Sequence, residues 1–210
     1  EAILPSKDQI FAKFPNAFIL YKPKDIVSGD FYWIEEKNDW VYFAAVDCTG
    51  HGVPGAFMSL IGYNILNRII RERKIINPHE ILLELNNGVV DALHRKYTES
   101  KDGMDIAICK INHKEKTLEY AGAMRPLWFV RNNELTEIKA DKIPIGTQQK
   151  DRDHIIEYNT KLFQLLEGDS FYIFTDGYAD QFGGDLGKKF KYKQLEELLC
   201  RINNEKMDHQ

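Results

Sequence analysis

The order in which the chain changes its hydrophobic period is what most narrows its fold. Residues 30–35 and 40–46 are rich in aromatic and β-branched side chains and read as two strands, with residues 35–39 as the polar turn of a hairpin. A further strand is expected over residues 17–21. Then the period changes to that of a helix, twice in succession. Over residues 53–74 the apolar positions Phe57, Leu60, Ile61, Ile65, Leu66 and Ile69 recur at helical spacing, and Pro54 sits where a first turn accepts proline. Asn77 is placed to cap a second helix, because Pro78 follows it and Ile81, Leu82, Leu85, Val89 and Leu93 carry the period on towards Tyr97.

After Met104 the strand signal returns over residues 105–111, 117–121, 127–130 and 135–138, which read as an antiparallel meander. Residues 170–174 predict one more buried strand, closed by Thr175-Asp176-Gly177, and residues 193–202 a short amphipathic helix. Hairpin, two adjacent helices and meander do not alternate as parallel βαβ units would. The expectation is therefore an α+β fold, antiparallel sheet covered by helices.

At 210 residues and 43% hydrophobic content the chain can bury one sizeable core, and one domain over residues 1–210 is expected. Its 28 basic and 32 acidic residues are mixed along the chain without a basic face, which argues against a nucleic-acid partner. Cys48, Cys109 and Cys200 are odd in number and far apart, so neither a disulfide framework nor a zinc knuckle is indicated, and a reducing, cytoplasmic compartment fits. No apolar run approaches the roughly 20 residues that cross a bilayer, so no membrane contact is expected of this stretch. The chain opens on Glu1 and ends on Asp208-His209-Gln210, as a piece of a longer protein would. Residues 1–15 are then expected to link to an upstream sensor domain, through which the parent could be membrane-anchored.

Three acids stand at strand ends instead of on polar surface runs: Asp30 after Gly29, Asp47 before Cys48-Thr49-Gly50-His51-Gly52, and Asp176 before Gly177. A carboxylate at the edge of a core loses hydration, a cost that a hard cation offsets, and adjacent glycines let main-chain oxygens approach as well. Their joint pattern points to Mg²⁺ or Mn²⁺. Taken singly, each acid is better explained as a turn residue, Asp-Gly being a common turn signal. Residues 47–52 lead into the first long helix, whose amide end would favour phosphate oxygens nearby. His51 is a candidate proton donor or supporting residue there, or simply a hydrogen-bonding loop residue. Arg125, in a turn before Pro126, is open between phosphate contact and surface.

Val27-Ser28-Gly29-Asp30-Phe31-Tyr32, Val46-Asp47-Cys48-Thr49-Gly50-His51-Gly52-Val53-Pro54 and Thr175-Asp176-Gly177 together resemble the SpoIIE-type (RsbU-like) phosphatases. These are bacterial members of the metal-dependent PPM, or type 2C, serine/threonine phosphatase superfamily. Gly103-Met104-Asp105, Gly122-Ala123-Met124-Arg125-Pro126 and Pro144-Ile145-Gly146 fall in the family's order, so the likeness spans nearly the whole chain. The resemblance implies a four-layer α-β-β-α sandwich of two antiparallel sheets, with two Mn²⁺ or Mg²⁺ ions between them. It further implies a water activated between the cations as nucleophile and phosphoserine or phosphothreonine as substrate. By position Asp47 would serve both cations, the Cys48 carbonyl one and Asp176 the other. Asp30 would act through water, and Asp105 would be accessory.

The implied partner is a phosphorylated regulatory protein, often an anti-sigma-factor antagonist in this family. Self-pairing into a homodimer is left open. Family members usually end on a strand bearing Asp-Asp. No Asp-Asp occurs here, so the last strand is expected to be missing and the second cation to bind weakly. Thiol chemistry is disfavoured, because Pro54, Glu115 and Lys206 occupy the positions six after the cysteines where such phosphatases carry arginine. The alternatives are a catalytically weak or inactive phosphatase-like signalling or binding module, and another two-metal hydrolase, such as a nuclease, which the lack of a basic groove disfavours.

Overall fold

The computed structural model describes residues 4–73, 75–93, 102–148, 155–184, 187–203 and 205. The early hairpin is β1 (Phe31–Lys37) and β2 (Trp40–Cys48), paired antiparallel through a two-residue turn in which Asn38 takes the left-handed φ of 57° that asparagine tolerates. β2 pairs with β3 (Met104–Asn112), β3 with β4 (Thr117–Ala123) and β4 with β7 (Lys161–Gln164), giving a five-stranded sheet in the order β1-β2-β3-β4-β7. The remaining segments form a second antiparallel sheet in the order β6-β5-β8, from β5 (Leu127–Arg131), β6 (Glu134–Ile138) and β8 (Ser170–Tyr172). The expected single meander is therefore split. The chain leaves the first sheet after β4 and enters the second at β5, and the crossing occurs at residues 124–126.

Strand alternation sorts the side chains into layers. Tyr42, Ala44, Val46, Ile106 and Ile108 face one way, onto α2 (Gly52–Arg68) and α3 (Pro78–Ala92), where Leu66, Ile81, Leu82, Leu85 and Val89 are fully buried. Each such side chain contributes about 1.5–3 kcal/mol by leaving water. Val41, Phe43, Ala107, Cys109, Ile111, Leu118 and Tyr120 face the other way and meet Leu127, Phe171 and Ile173 of the second sheet. The outer face of that sheet, through Trp128, Val130 and Tyr172, is covered by Leu195 and Leu199 of α4 (Tyr192–Ile202). Helix, sheet, sheet, helix is the expected layering. A short capped helix, α1 (Lys7–Phe11), and a two-residue hairpin of β9 (Phe182–Gly183) and β10 (Lys188–Lys189) complete the elements.

Several local expectations need correction. Residues 17–21 pair with no strand among the described residues: Phe18 packs on Tyr172, and the Tyr21 hydroxyl donates to the Asp30 carbonyl (3.1 Å), so side chains and not a ladder hold this stretch. Phe57 and Leu60 are exposed, Phe57 by 64%; the buried face of α2 instead carries Gly55, Met58, Ser59 and Gly62. Small residues win there because the helix lies against backbone. α2 ends in one π turn (Ile69–Arg73), whose Ile70 carbonyl accepts from Lys37 Nζ. Asn77 precedes α3 but makes no capping bond to its backbone, its amide donating instead to Glu80 (3.0 Å). The expected continuation of α3 to Tyr97 lies outside the described residues. Among the described residues no helix is long and apolar enough to cross a membrane.

Candidate metal centre

Asp47 and Asp105 are direct cross-strand partners of β2 and β3. By alternation both carboxylates point into the space between the sheets, at the end of the sandwich where the strands meet their loops. Two like charges placed opposite each other on one face repel, so this pair requires a counter-charge. The ladder is pinned at this end by Thr49, whose N–H donates to the Gly103 carbonyl (2.9 Å) while its hydroxyl accepts from the Gly103 N–H (3.1 Å). Beyond Met104 the backbone of Ile145 adds two more bonds, and the buried Asn86 clamps the Gly146 N–H (2.8 Å) and the Thr147 carbonyl (3.0 Å). The Gly103-Met104-Asp105 and Pro144-Ile145-Gly146 segments thus hold Asp105 in place.

Asp30 immediately precedes β1, and Asp176 lies in the turn that follows β8. Thr175 joins the two by donating to Asp30 Oδ2 (2.7 Å). Gly29, Gly50 and Gly55 pack backbone on backbone: a Cβ on Gly29 would stand 2.6 Å from the Gly50 carbonyl oxygen and 3.1 Å from that of Cys48. Only glycine lets the Asp30 and Asp47 loops lie so close together. The Cys48 thiol faces the helices and is pushed up to about 12 by burial, so only the carbonyl of this residue could face a cation.

The counter-charge is Arg125. Its Nη2 lies 2.5 Å from Asp47 Oδ2, 2.8 Å from Asp176 Oδ2 and 3.4 Å from Asp105 Oδ2, and its side chain is only 12% exposed. Position 125 is therefore neither surface nor peripheral. The turn at the sheet crossing supplies it: Met124 has a left-handed φ of 65°, and the Tyr120 hydroxyl donates to the Arg125 carbonyl (2.6 Å) across Gly122, where any Cβ would strike that hydroxyl. Burial pushes the Asp47 carboxyl up to about 7, helped by the negative charges of Asp30 and Asp176 and opposed by Arg125. Asp105 is raised as well, chiefly by burial. Burial opposes the charge on Arg125, but the hydrogen bond to Asp176 and the surrounding carboxylates outweigh it and raise its pKa.

The sequence-derived set is thus partly gathered. Asp30, Asp47, Asp105 and Asp176 come together. His51 does not join them: its side chain is 86% exposed and lies 3.6 Å from Asp25. That same Asp25 is the carboxylate beside the start of α2, 3.9 Å from where a Cβ on Gly52 would stand, so the positive end of the helix dipole already has an anion near it. Arg125 and Thr175 take part although the motifs assign neither a role. Adjacency to Asp176 was the available signal for Thr175; for Arg125 it was the bulky cation within an otherwise small-residue turn.

Convergence of three carboxylate oxygens on one nitrogen tests the fit of a cation directly. Oxygen donors are those that Mg²⁺ and Mn²⁺ prefer, and the guanidinium stands where a positive charge is required. As they stand, however, the acids close on Arg125: among the described residues no three His, Cys, Asp or Glu side chains are spaced to hold an ion.

Two antiparallel sheets between helix layers match the structures of the PP2C class of phosphatase domains. The chain belongs to the family described as Stage II sporulation protein E (SpoIIE), whose model matches residues 37–210. It is similar to the SiaA PP2C domain of Pseudomonas aeruginosa, with 31% identity over 99% of this chain and 80% of that one, at a TM-score of 0.86. The PP2C phosphatase domain of SpoIIE from Bacillus subtilis, solved with a fragment of its regulatory domain, shares 17% identity over 88% of this chain and 56% of that one, at a TM-score of 0.58. RsbX, solved in complex with magnesium, shares 15% identity over 90% of this chain and 86% of that one, at a TM-score of 0.55. The last two show the fold alone. Among curated proteins, none matches this chain.

Proposed function

We propose that this domain is a metal-dependent protein serine/threonine phosphatase that removes phosphate from a phosphorylated regulatory protein, of the anti-sigma-factor antagonist kind. The observation that carries the reading is the meeting of Asp47, Asp105 and Asp176, with Asp30 beside Asp47, at one end of the inter-sheet space. Asp47, Asp176 and the Cys48 carbonyl would hold two Mn²⁺ or Mg²⁺ ions, with Asp30 acting through water and Asp105 in support. The magnesium bound by RsbX supports the choice of ion. When bound, such ions supply Lewis acidity and a nucleophilic water at neutral pH.

The chain's own residues provide the rest. Asp47 and Asp105 are fixed to one another by the β2–β3 ladder, which orients their oxygens before any ligand arrives. Thr175 keeps Asp30 Oδ2 engaged and so holds that carboxylate beside Asp47. The Cys48 and Cys109 thiols are excluded as nucleophiles, since burial holds both protonated at neutral pH. His51 is given no part in proton transfer.

The test is Mn²⁺-dependent phosphate release from p-nitrophenyl phosphate and from a phosphoserine peptide. Loss of at least ~100-fold in Asp47→Ala and Asp176→Ala is expected, in keeping with the removal of charge stabilisation worth a few kcal/mol. Hydrolysis that persists in both variants refutes the assignment. Phosphopeptide binding without turnover in the wild-type chain would establish the binding-module reading instead, and preference for an oligonucleotide would move the domain to another two-metal class.

A further inference from the structure

Arg125 differs in kind from the structural ion pairs of this protein. Arg131 grips Asp169 as a fork, Nε to Oδ1 at 2.8 Å and Nη2 to Oδ2 at 2.6 Å, one cation to one anion. Arg71 holds Glu35 through two of its nitrogens in a similar way. At Arg125 all three carboxylates converge on a single nitrogen, Nη2, which is the pattern of ligands around an ion and not of a guanidinium fork. Meanwhile its Nε is buried with no hydrogen-bond partner among the described residues. A residue selected only to stabilise the fold would not leave a donor stranded while crowding three acceptors onto one atom.

The charge balance is just as uneven: one positive group faces Asp47, Asp105 and Asp176, so the cluster stays short of positive charge with Arg125 in place. The backbone of Arg125 is tied down by the Tyr120 hydroxyl and the close approach at Gly122, whereas its side chain carries the rotatable bonds needed to withdraw. Its Nη1 already lies 3.4 Å from the Tyr192 hydroxyl at the start of α4, a second partner outside the acid cluster.

We propose that Arg125 is a tethered counter-cation: it holds Asp47, Asp105 and Asp176 closed on itself in the metal-free protein and competes with divalent cations for them. This rests on the acid cluster being the cation site proposed above. Loading the site then requires the guanidinium to leave Nη2's place among the carboxylates. Arg125 sets the cation concentration at which the domain becomes competent, and the arginine's exit is part of every loading event.

Calorimetric titration of Mn²⁺ into the whole chain, without substrate, tests the idea. Arg125→Gln keeps a polar side chain and removes the competing charge, and it is expected to bind Mn²⁺ at least ~10-fold more tightly than wild type, a change of about 1.4 kcal/mol. Arg125→Lys keeps the charge, cannot spread its contacts over a planar group, and is expected to fall between the two. A wild-type measurement guards against a variant that does not fold: in ¹⁵N-labelled protein titrated with Mg²⁺, the Arg125 Nε–H resonance should shift in step with cation binding. Unchanged or weaker Mn²⁺ affinity in folded Arg125→Gln, or an Arg125 resonance that stays put while the cation binds, overturns the proposal and leaves the cation site standing. No binding by any of the three proteins removes the cation site itself.

Discussion

Replacing Gly55 by alanine tests the backbone-on-backbone packing that brings the acid loops together. An added Cβ would lie 2.5 Å from the Gly50 carbonyl oxygen, 3.0 Å from the Gly50 carbonyl carbon and 3.0 Å from Gly29 Cα. All three are main-chain atoms, so no side-chain rotation relieves the contact. Reaching even the tightest ordinary separations requires the neighbouring loop to shift by about 0.5–0.9 Å. Overpacking of this kind costs about 2–3 kcal/mol. Alanine's better helix propensity returns about 1 kcal/mol. The net loss is about 1–2 kcal/mol, which for a chain of this size lowers Tm by about 2–8 °C. Since Gly29 and Gly50 flank Asp30 and Asp47, the same shift should weaken Mn²⁺ binding in calorimetry. Gly88→Ala is the control, because the nearest atoms its Cβ would meet belong to the side chain of Ile65 and not to the acid loops, so it should leave Mn²⁺ affinity unaltered whatever it costs in Tm. A Gly55→Ala protein that melts at or above the wild-type temperature, with unaltered Mn²⁺ affinity, would refute the packing argument.

Two further outcomes concern charge. Asp47 is held up to about 7 in the folded protein and titrates near 3.9 when unfolded, so its ionisation costs folded-state stability as pH rises from about 4 through 7. In metal-free protein kept in chelator, Asp47→Asn should match wild type near pH 4 and grow progressively more stable than it as pH rises to 8 in urea denaturation; a variant less stable than wild type at pH 8 would contradict this. Asp169, 4% exposed, is held below the usual carboxylate range by its hydrogen bonds to Arg131 and the Leu166 N–H, so its contribution is present above about pH 4 and fades as pH falls through its lowered folded-state value. Asp169→Asn should therefore cost about 2 kcal/mol at pH 7, with the difference from wild type shrinking in acid; a pH-independent difference would show that the ion pair is not its source.

What could be read from the chain was whatever depends on local period. Aromatic and β-branched runs over residues 40–46 and 105–111 placed β2 and β3, and helical spacing with proline at the first turn placed α2 and α3. The α+β class followed from strands and helices not alternating, whereas the four-layer order was what the family resemblance implied. Pairing between distant segments was out of reach, because it depends on neighbours that alternation does not name. Hence the split of the meander at Met124–Pro126 and the edge strand β7, short and half-polar, went unforeseen. Gly55 and Ser59 were passed over on α2 because smallness, not hydrophobicity, fits that face to backbone. In the site, Asp30, Asp47 and Asp176 were legible from their glycines. Arg125 was not, since its role exists only once three separate segments surround it.

The β2–β3 register makes the centre mechanically unequal on its two sides. Asp47 and Asp105 stand opposite each other on one rung of the ladder, so their separation is built into the sheet and changes only if the sheet does. Asp30 and Asp176 stand outside the ladder, on connecting segments joined to one another by the Thr175 hydroxyl. Like a vice with one fixed jaw, the site can adapt its grip from one side alone. Shifts of the helices can therefore reach the acids through the residue 28–30 and 175–177 segments without disturbing the central strands.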